Sequence, residues 1–283
     1  MKAQWDNKLI SSFYLWFNHT MLEKGEAFQN TSSYFYSTNQ KYNGLYAYAC
    51  PFNQLVSDSS ITGATVMSGV YLNGNFITTG TSGFHGVDFE HGRVYFTGAL
   101  PAGTKVSGNY AFKEVNIVLT NENEQKLLFE TKYNPRPKLG QIPTGLFTNE
   151  LTYPVVFLTD MNSVNKPFAF GGLDNSVFEM GAIMLMDSKF NLVAMNSLFK
   201  DRARTLIPVF EANEFPYNVY GELKSGIYNY TTMASGRSEA FLESSLISSF
   251  NPILINRVLD ANPNIFFGVI EFELSSQRYP RLG

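Results

Sequence analysis

SGVYLNGNFITTGTSGFHGVDFEHGRVYFTGALPAGTKVSGNYAFKEVNIVL, residues 68–119, carries the strongest local pattern in the chain and decides its class. Val70-Tyr71-Leu72 and Asn75-Phe76-Ile77 flank Asn73-Gly74, the pair that a two-residue type I′ turn needs because both central positions take positive φ. Val87-Asp88-Phe89 and Arg93-Val94-Tyr95-Phe96 flank Glu90-His91-Gly92 and form a second hairpin. Leu100-Pro101-Ala102-Gly103 supplies a third turn before a long alternating strand through Val106, Tyr110, Phe112, Val115, Ile117 and Leu119. The pattern predicts a module of short antiparallel strands. Turns explain the glycines of Gly80-Thr81-Ser82-Gly83-Phe84-His85-Gly86, with a ligand-binding loop as the alternative.

Upstream, Leu9/Ile10, Phe13/Tyr14, Phe17 and Met21 recur at helical spacing, with Asp6 or Asn7 as cap and Gly25 after the C-terminus. Its bulky aromatic face packs either on the rest of the chain or on an adjacent subunit. From Asn30 to Ser60 the Tyr-, Asn- and Ser-rich sequence has no sustained period and reads as an extended loop lying against a neighbour. Downstream, Asn134-Pro135-Arg136-Pro137-Lys138-Leu139-Gly140 breaks any regular element. Beyond it, strands are predicted at 151–158 and 177–186, and a helix over 189–202 capped by Asp187 or Ser188, with Leu192, Val193, Met195, Leu198 and Phe199 as its buried stripe. A strand over Thr205 to Phe210 completes a β-α-β unit, and Ile265 to Leu274 reads as the final strand. Residues 239–250 fit helix or strand, and their alternation leans to strand. The expected organisation is an α+β, β-rich chain: an aromatic helix and Tyr-rich segment (1–60), an antiparallel β module (61–133), a Pro/Gly linker (134–150) and a small α+β domain with a helix on one face of its sheet (151–283).

At 283 residues, the chain has length for about two domains or one large one. Aromatic residues make up 15% and charged residues 16%, against about 25% charged in an ordinary soluble domain. A hydrophobic content of 44% and a net charge of −3 exclude a disordered chain. The 21 basic residues face 24 acidic ones, which argues against a polyanion binder. One cysteine, Cys50, excludes an internal disulfide and a multi-Cys zinc site. Without a signal peptide or an 18-residue apolar run, the chain is expected to be made and kept in the cytosol. The sequons at Asn18, Asn30 and Asn229 then carry no glycosylation meaning.

Catalytic material is sparse. Phosphate loops, dinucleotide fingerprints, H-E-x-x-H and G-x-S-x-G are all absent from the sequence. Cys50 reads as a small buried hydrophobe, and the spacing of His85 and His91 has no metal-ligand logic. Asp88 and Glu90 form a carboxylate pair of unspecified separation, and Arg278 and Arg281 read as the solvated end of a strand. No catalytic residue, cofactor or metal ligand is therefore assigned. Excess Tyr and Phe with few charges is the composition of interface cores, and it makes Phe13, Trp16, Phe17, Tyr34, Tyr36, Tyr46 and Tyr48 candidate subunit-interface residues.

Two stretches carry a resemblance. Met1-Lys2-Ala3-Gln4-Trp5-Asp6-Asn7 with the aromatic helix, and Tyr71 through Gly92-Arg93-Val94-Tyr95-Phe96 to Tyr110, resemble virion structural proteins of tailed bacteriophages. The second half, with its strand ending near Met186, helix over Leu192 to Phe199 and strand from Thr205 to Phe210, is similar to the sheet domain of tail-terminator and neck proteins. The resemblance implies a non-enzymatic subunit of a ring, commonly a hexamer, that joins the head connector to the tail. Its partners would be copies of itself and other neck and tail proteins, with the virion as its location and neither a membrane nor sequence-specific nucleic acid as a partner. The extra β module at 68–119 leaves a collar, baseplate or fibre-attachment role open. The alternative is a receptor- or carbohydrate-binding β module, since exposed tyrosines on an all-β scaffold stack on sugars; a cell-wall hydrolase would need an acid/base pair such as Asp88 and Glu90.

Overall fold

In the computed structural model, which describes residues 4–136, 152–169, 171–216, 226–248, 260 and 264–279, the chain begins with α1 (Trp5–Lys24) and continues through β1 (Phe28–Tyr42), β2 (Leu45–Ala49), β3 (Gly69–Leu72), β4 (Asn75–Thr78), β5 (Phe84–Asp88), β6 (Arg93–Phe96), β7 (Val106–Lys113) and β8 (Asn116–Leu119). A π-helical turn (Lys126–Glu130), β9 (Asn134–Pro135), β10 (Thr152–Tyr153), β11 (Val155–Ala169), β12 (Leu173–Met186), α2 (Lys189–Lys200), β13 (Thr205–Val209), α3 (Tyr230–Ala234), β14 (Ser238–Ser248) and β15 (Phe266–Arg278) follow. Two large sheets result, ordered β4-β3-β7-β1-β2-β6-β5 and β13-β14-β15-β12-β11-β8. Every pairing in the first is antiparallel. In the second, only β8 against β11 is parallel. This is the α+β, β-rich class that the sequence patterns imply.

The first hairpin forms as read, with φ of +47° at Asn73 and +90° at Gly74. Residues 106–119 do not make one strand. β7 lies in the first sheet and β8 in the second, and the crossing at Glu114 is pinned by its N–H to Ala27 O (2.8 Å) and by Asn116 N–H to Pro154 O (3.0 Å). One unbroken segment therefore joins the two layers.

Within the segment from Asn30 to Ser60 expected as loop, residues 30–42 and 45–49 are strand, as parts of β1 and β2. β1 is central to the first sheet and pairs with β7 from Phe28↔Lys113 to Phe35↔Val106. Only Phe35 and Thr38 on β1 are buried, so the strand carries little apolar alternation and long-range pairing alone organises it. The β module thus draws strands from the first 60 residues, and α1 and β8 belong to the second layer.

Helix α1 starts at Gln4, whose N–H donates to Asn7 Oδ1 at 3.1 Å. It stops at Gly25, where a Cβ would lie 2.5 Å from Met21 O. Eleven of its twenty residues are buried, so it is enclosed on most sides. With α2 it covers one face of the six-stranded sheet, against Val156, Met180, Met184, Ile270 and Phe272. A second core packs on one face of the seven-stranded sheet around Val70, Phe96 and Phe112. A smaller third core packs Leu127, Leu128 and Tyr133 on the other face of the second sheet, against Phe157 and Val269.

Helix α2 is capped as expected, by Ser188 Oγ accepting from Asn191 N–H (3.1 Å). Its stripe is narrower than predicted: Met195 and Phe199 are buried while Val193 is exposed. The expected β-α-β unit is not one. β13 runs antiparallel to β12, with β14 and β15 between them. Residues 238–248 are strand, settling the ambiguous segment as far as it is described. Arg278 is packed rather than solvated, donating to Ser176 Oγ (2.7 Å) and lying over the Trp5 ring. In the linker, Asn134-Pro135 pairs with Thr152-Tyr153, and residues 137–151 and 280–283 lie outside the described residues.

Candidate binding face

The β3–β4 hairpin fixes which side chains leave the core. Val70 and Ile77 point inward, so Tyr71 and Phe76 between them point outward. On β1, Phe35 is inside and Tyr34 and Tyr36 are outside; on β7, Val106 is inside and Ser107 outside. Register then aligns them: Phe76 faces Tyr71, Tyr71 faces Ser107, and Ser107 faces Tyr34. The result is one row across four strands, with Tyr36 one step further along β1. Phe76 is 51% exposed, Tyr34 50% and Tyr36 36%, and the Tyr71 and Phe76 rings lie 5.1 Å apart. Beside the row, Asn109 faces Ser32, both exposed and both outward.

The sequence-derived interface residues divide. Phe13, Trp16 and Phe17 are buried at 0%, 6% and 0% exposure and are committed to their own chain. Phe17 stacks on Phe199 (4.0 Å, 6°), Phe13 meets Phe272 edge-on (5.1 Å), and Trp16 meets Phe199 (5.9 Å). Those three do not form a surface that a neighbour can reach. Tyr34 and Tyr36 are on the surface. Tyr46 and Tyr48 are half-buried, with Lys41 Nζ over the Tyr46 ring and Tyr48 against Phe96. Tyr71 and Phe76 were missed, although alternation through the Asn73-Gly74 turn already turns them outward.

The titratable residues are tied into the fold. Asp88 accepts from His91 Nδ1 and Tyr95 Oη, both at 2.9 Å. Burial pushes its pKa up, but His91 and Tyr95 outweigh this and hold it below the usual carboxylate value, while the same carboxylate raises that of His91. Glu90 has different partners: Gln54 Nε2 donates to it at 2.6 Å, and Gln54 Oε1 accepts from Ile117 N–H (2.8 Å) and Lys113 Nζ (3.4 Å). Burial raises the Glu90 pKa and lowers that of Lys113, each favouring the neutral form. The two carboxylates thus have separate hydrogen-bond partners, while the Asp88 charge adds to the upward push on Glu90.

Cys50 is buried, donates to Phe52 O, and has its pKa pushed up to about 11 by burial, so it is a neutral thiol. Asp58 is fully enclosed, where it accepts from His19 Nδ1 (2.9 Å), Ser60 N and Oγ, and Tyr230 N–H. Burial raises its pKa, but these donors together lower it below the ordinary value. It ties α1 to the 57–60 segment and to the start of α3. Among the described residues, no cluster of three or more His, Cys, Asp or Glu side chains is arranged to hold a metal.

A second surface feature lies along one edge of the six-stranded sheet. β8 covers the edge of β11 only from Val155 to Leu158, where Thr120 N–H bonds Leu158 O at 2.9 Å. From Thr159 to Ala169 that edge pairs with no described strand, while the opposite edge of β11 stays paired with β12, which is itself paired with β15 as far as Asp174↔Arg278. Met161, Val164 and Phe168 on it are exposed. Where β8 ends, Ile10, Leu119, Thr120, Glu122, Leu158 and Asp160 line an open hollow of about 410 Å³. No helix among the described residues is long and apolar enough to cross a membrane. Compared with protein-family models and with curated proteins, the chain matches none of either.

Proposed function

We propose that the chain is a non-enzymatic structural subunit of a tailed-phage virion, closing with copies of itself into a ring at the neck that joins the head connector to the tail. The observation that carries this reading is one margin of the six-stranded sheet: the edge of β11 from Thr159 to Ala169, without a described partner, with Met161, Val164 and Phe168 exposed along it. An open edge of that length is a template for another chain. Lys166 and Pro167 guard its tip and leave the stretch nearer β8 to pair. Head-to-tail contact of this edge with a different surface of the next copy generates a ring when the rotation closes. The low charge density of the chain supports the same reading, since little repulsion keeps copies apart.

The test is the oligomeric state of the purified protein, by analytical ultracentrifugation and negative-stain imaging, together with a gold-labelled tag on assembled particles. Rings that dissociate in Met161→Glu/Val164→Glu, and label at the neck, are expected. A monomer at the highest concentration reached, or label away from the head-tail junction, overturns the proposal.

A further inference from the structure

We infer that the outer face of the seven-stranded sheet is a stacking platform for a neutral oligosaccharide laid across Phe76, Tyr71, Tyr34 and Tyr36. The inference does not depend on the ring: it concerns a different sheet and a different kind of ligand.

The geometry selects the ligand class in three steps. First, the row is straight in register. Phe76, Tyr71, Ser107 and Tyr34 stand directly opposite one another across β4, β3, β7 and β1, and three strand spacings cover roughly 14 Å. That is the reach of a short run of pyranose units. The small side chain of Ser107 leaves a gap between the pair Tyr71–Phe76 and Tyr34, so rings recur with an interval, as sugar faces do along a chain. Second, the rings are half in solvent yet fixed by the ladder beneath them. An aromatic face is negative and attracts the slightly positive C–H face of a pyranose, and Tyr and Phe are held at little entropic cost because they have only two side-chain torsions.

Third, the row itself is polar between its rings and carries no charge. Asn109 and Ser32 form a parallel row one step along the strands, and Ser107 interrupts the aromatic row itself. Amide and hydroxyl groups there match sugar hydroxyls; charge stands at the margins, at exposed Lys105 two residues before Ser107 and at Arg93 and Asp88, two and three strands beyond Tyr36 in register. A protein partner fits less well. Stable protein interfaces bury about 800 Å² and 20–30 residues per partner, far more than one strip of four rings.

The experiment uses the full chain with cellohexaose, laminarihexaose and N-acetylchitohexaose as neutral probes, and oligogalacturonate as the acidic one, read by saturation-transfer NMR and by titration. Saturation should reach the ring C–H protons of at least one neutral hexasaccharide. Tyr34→Ala/Phe76→Ala should weaken that binding at least about tenfold with an unchanged melting profile, while Phe168→Ala on β11 should leave it intact. Failure of all three neutral probes, oligogalacturonate binding as tightly as they do, or equal binding by wild type and the double variant overturns the inference. The oligomeric state, read separately, decides the ring.

Discussion

The rings of α1 and those of the outer sheet face have the same chemistry in opposite settings. Phe13 and Phe17 have a wall opposite them, built from Phe199 and Phe272, and are excluded from solvent. Tyr34 and Phe76 stand on an equally regular element and keep half their surface in water. What separates the two groups is whether a second element closes over them, which no property of the residues themselves determines. Two Asp–His pairs repeat the contrast: Asp58–His19 is buried at 2.9 Å, and Asp88–His91 has the same separation with the imidazole largely exposed.

The strongest way to break the comparison is Phe17→Ala. It should cost about 3–5 kcal/mol, seen as a lower urea midpoint; a loss under about 1 kcal/mol would mean that α1 is not buried as described. Asp58→Ala should come next, at about 1–3 kcal/mol for the donors left unpaired. It should also flatten stability below about pH 4, because a carboxylate with a depressed pKa contributes above its unfolded value and loses that contribution as pH falls through the folded one. An unchanged acid limb of the unfolding curve would rule Asp58 out as its source.

His91→Gln should cost less than about 1 kcal/mol, because the pair sits at the surface. Its mark is a pH window. The contribution is whole between the ordinary values of 3.8 for Asp88 and 6.5 for His91; it fades as pH falls through the lowered Asp88 value or rises through the raised His91 value. Urea midpoints at about pH 6 and about pH 9 should therefore converge in the variant relative to wild type. Smallest of all, Tyr34→Ala and Phe76→Ala should each change stability by no more than about 0.5 kcal/mol. A loss as large as that of Phe17→Ala would show that something covers this face after all.

Features set by neighbours in sequence were legible in it. Asn73-Gly74 dictated its hairpin, Ser188 its helix start, and the apolar runs at 177–186 and 265–274 their strands. Features set by distant pairing were not. β1 shows only two buried side chains, so its tyrosines and serines resemble loop until β7 is laid beside them. The partners of the α1 face lie some 180 and 255 residues away, at Phe199 and Phe272, and without them a buried helix and an interface helix have the same periodicity. The candidate face stands between these cases. Alternation around one turn exposes Tyr71 and Phe76, whereas joining them to Tyr34 requires the register of three further strands. With Phe13, Trp16 and Phe17 accounted for inside their own chain, the aromatic surplus argues for assembly much less than the β11 edge without a described partner does.

The distance between α1 and its wall also has a meaning in time. Phe17 is added to the growing chain 255 residues before Phe272, which at roughly 5–20 residues per second is on the order of 10–50 s. Throughout that interval the nascent chain carries an aromatic helix whose cover does not yet exist. The surface that is sealed in the finished chain is thus exposed apolar surface during synthesis, and β15, which brings Phe272, is the strand whose arrival completes its cover.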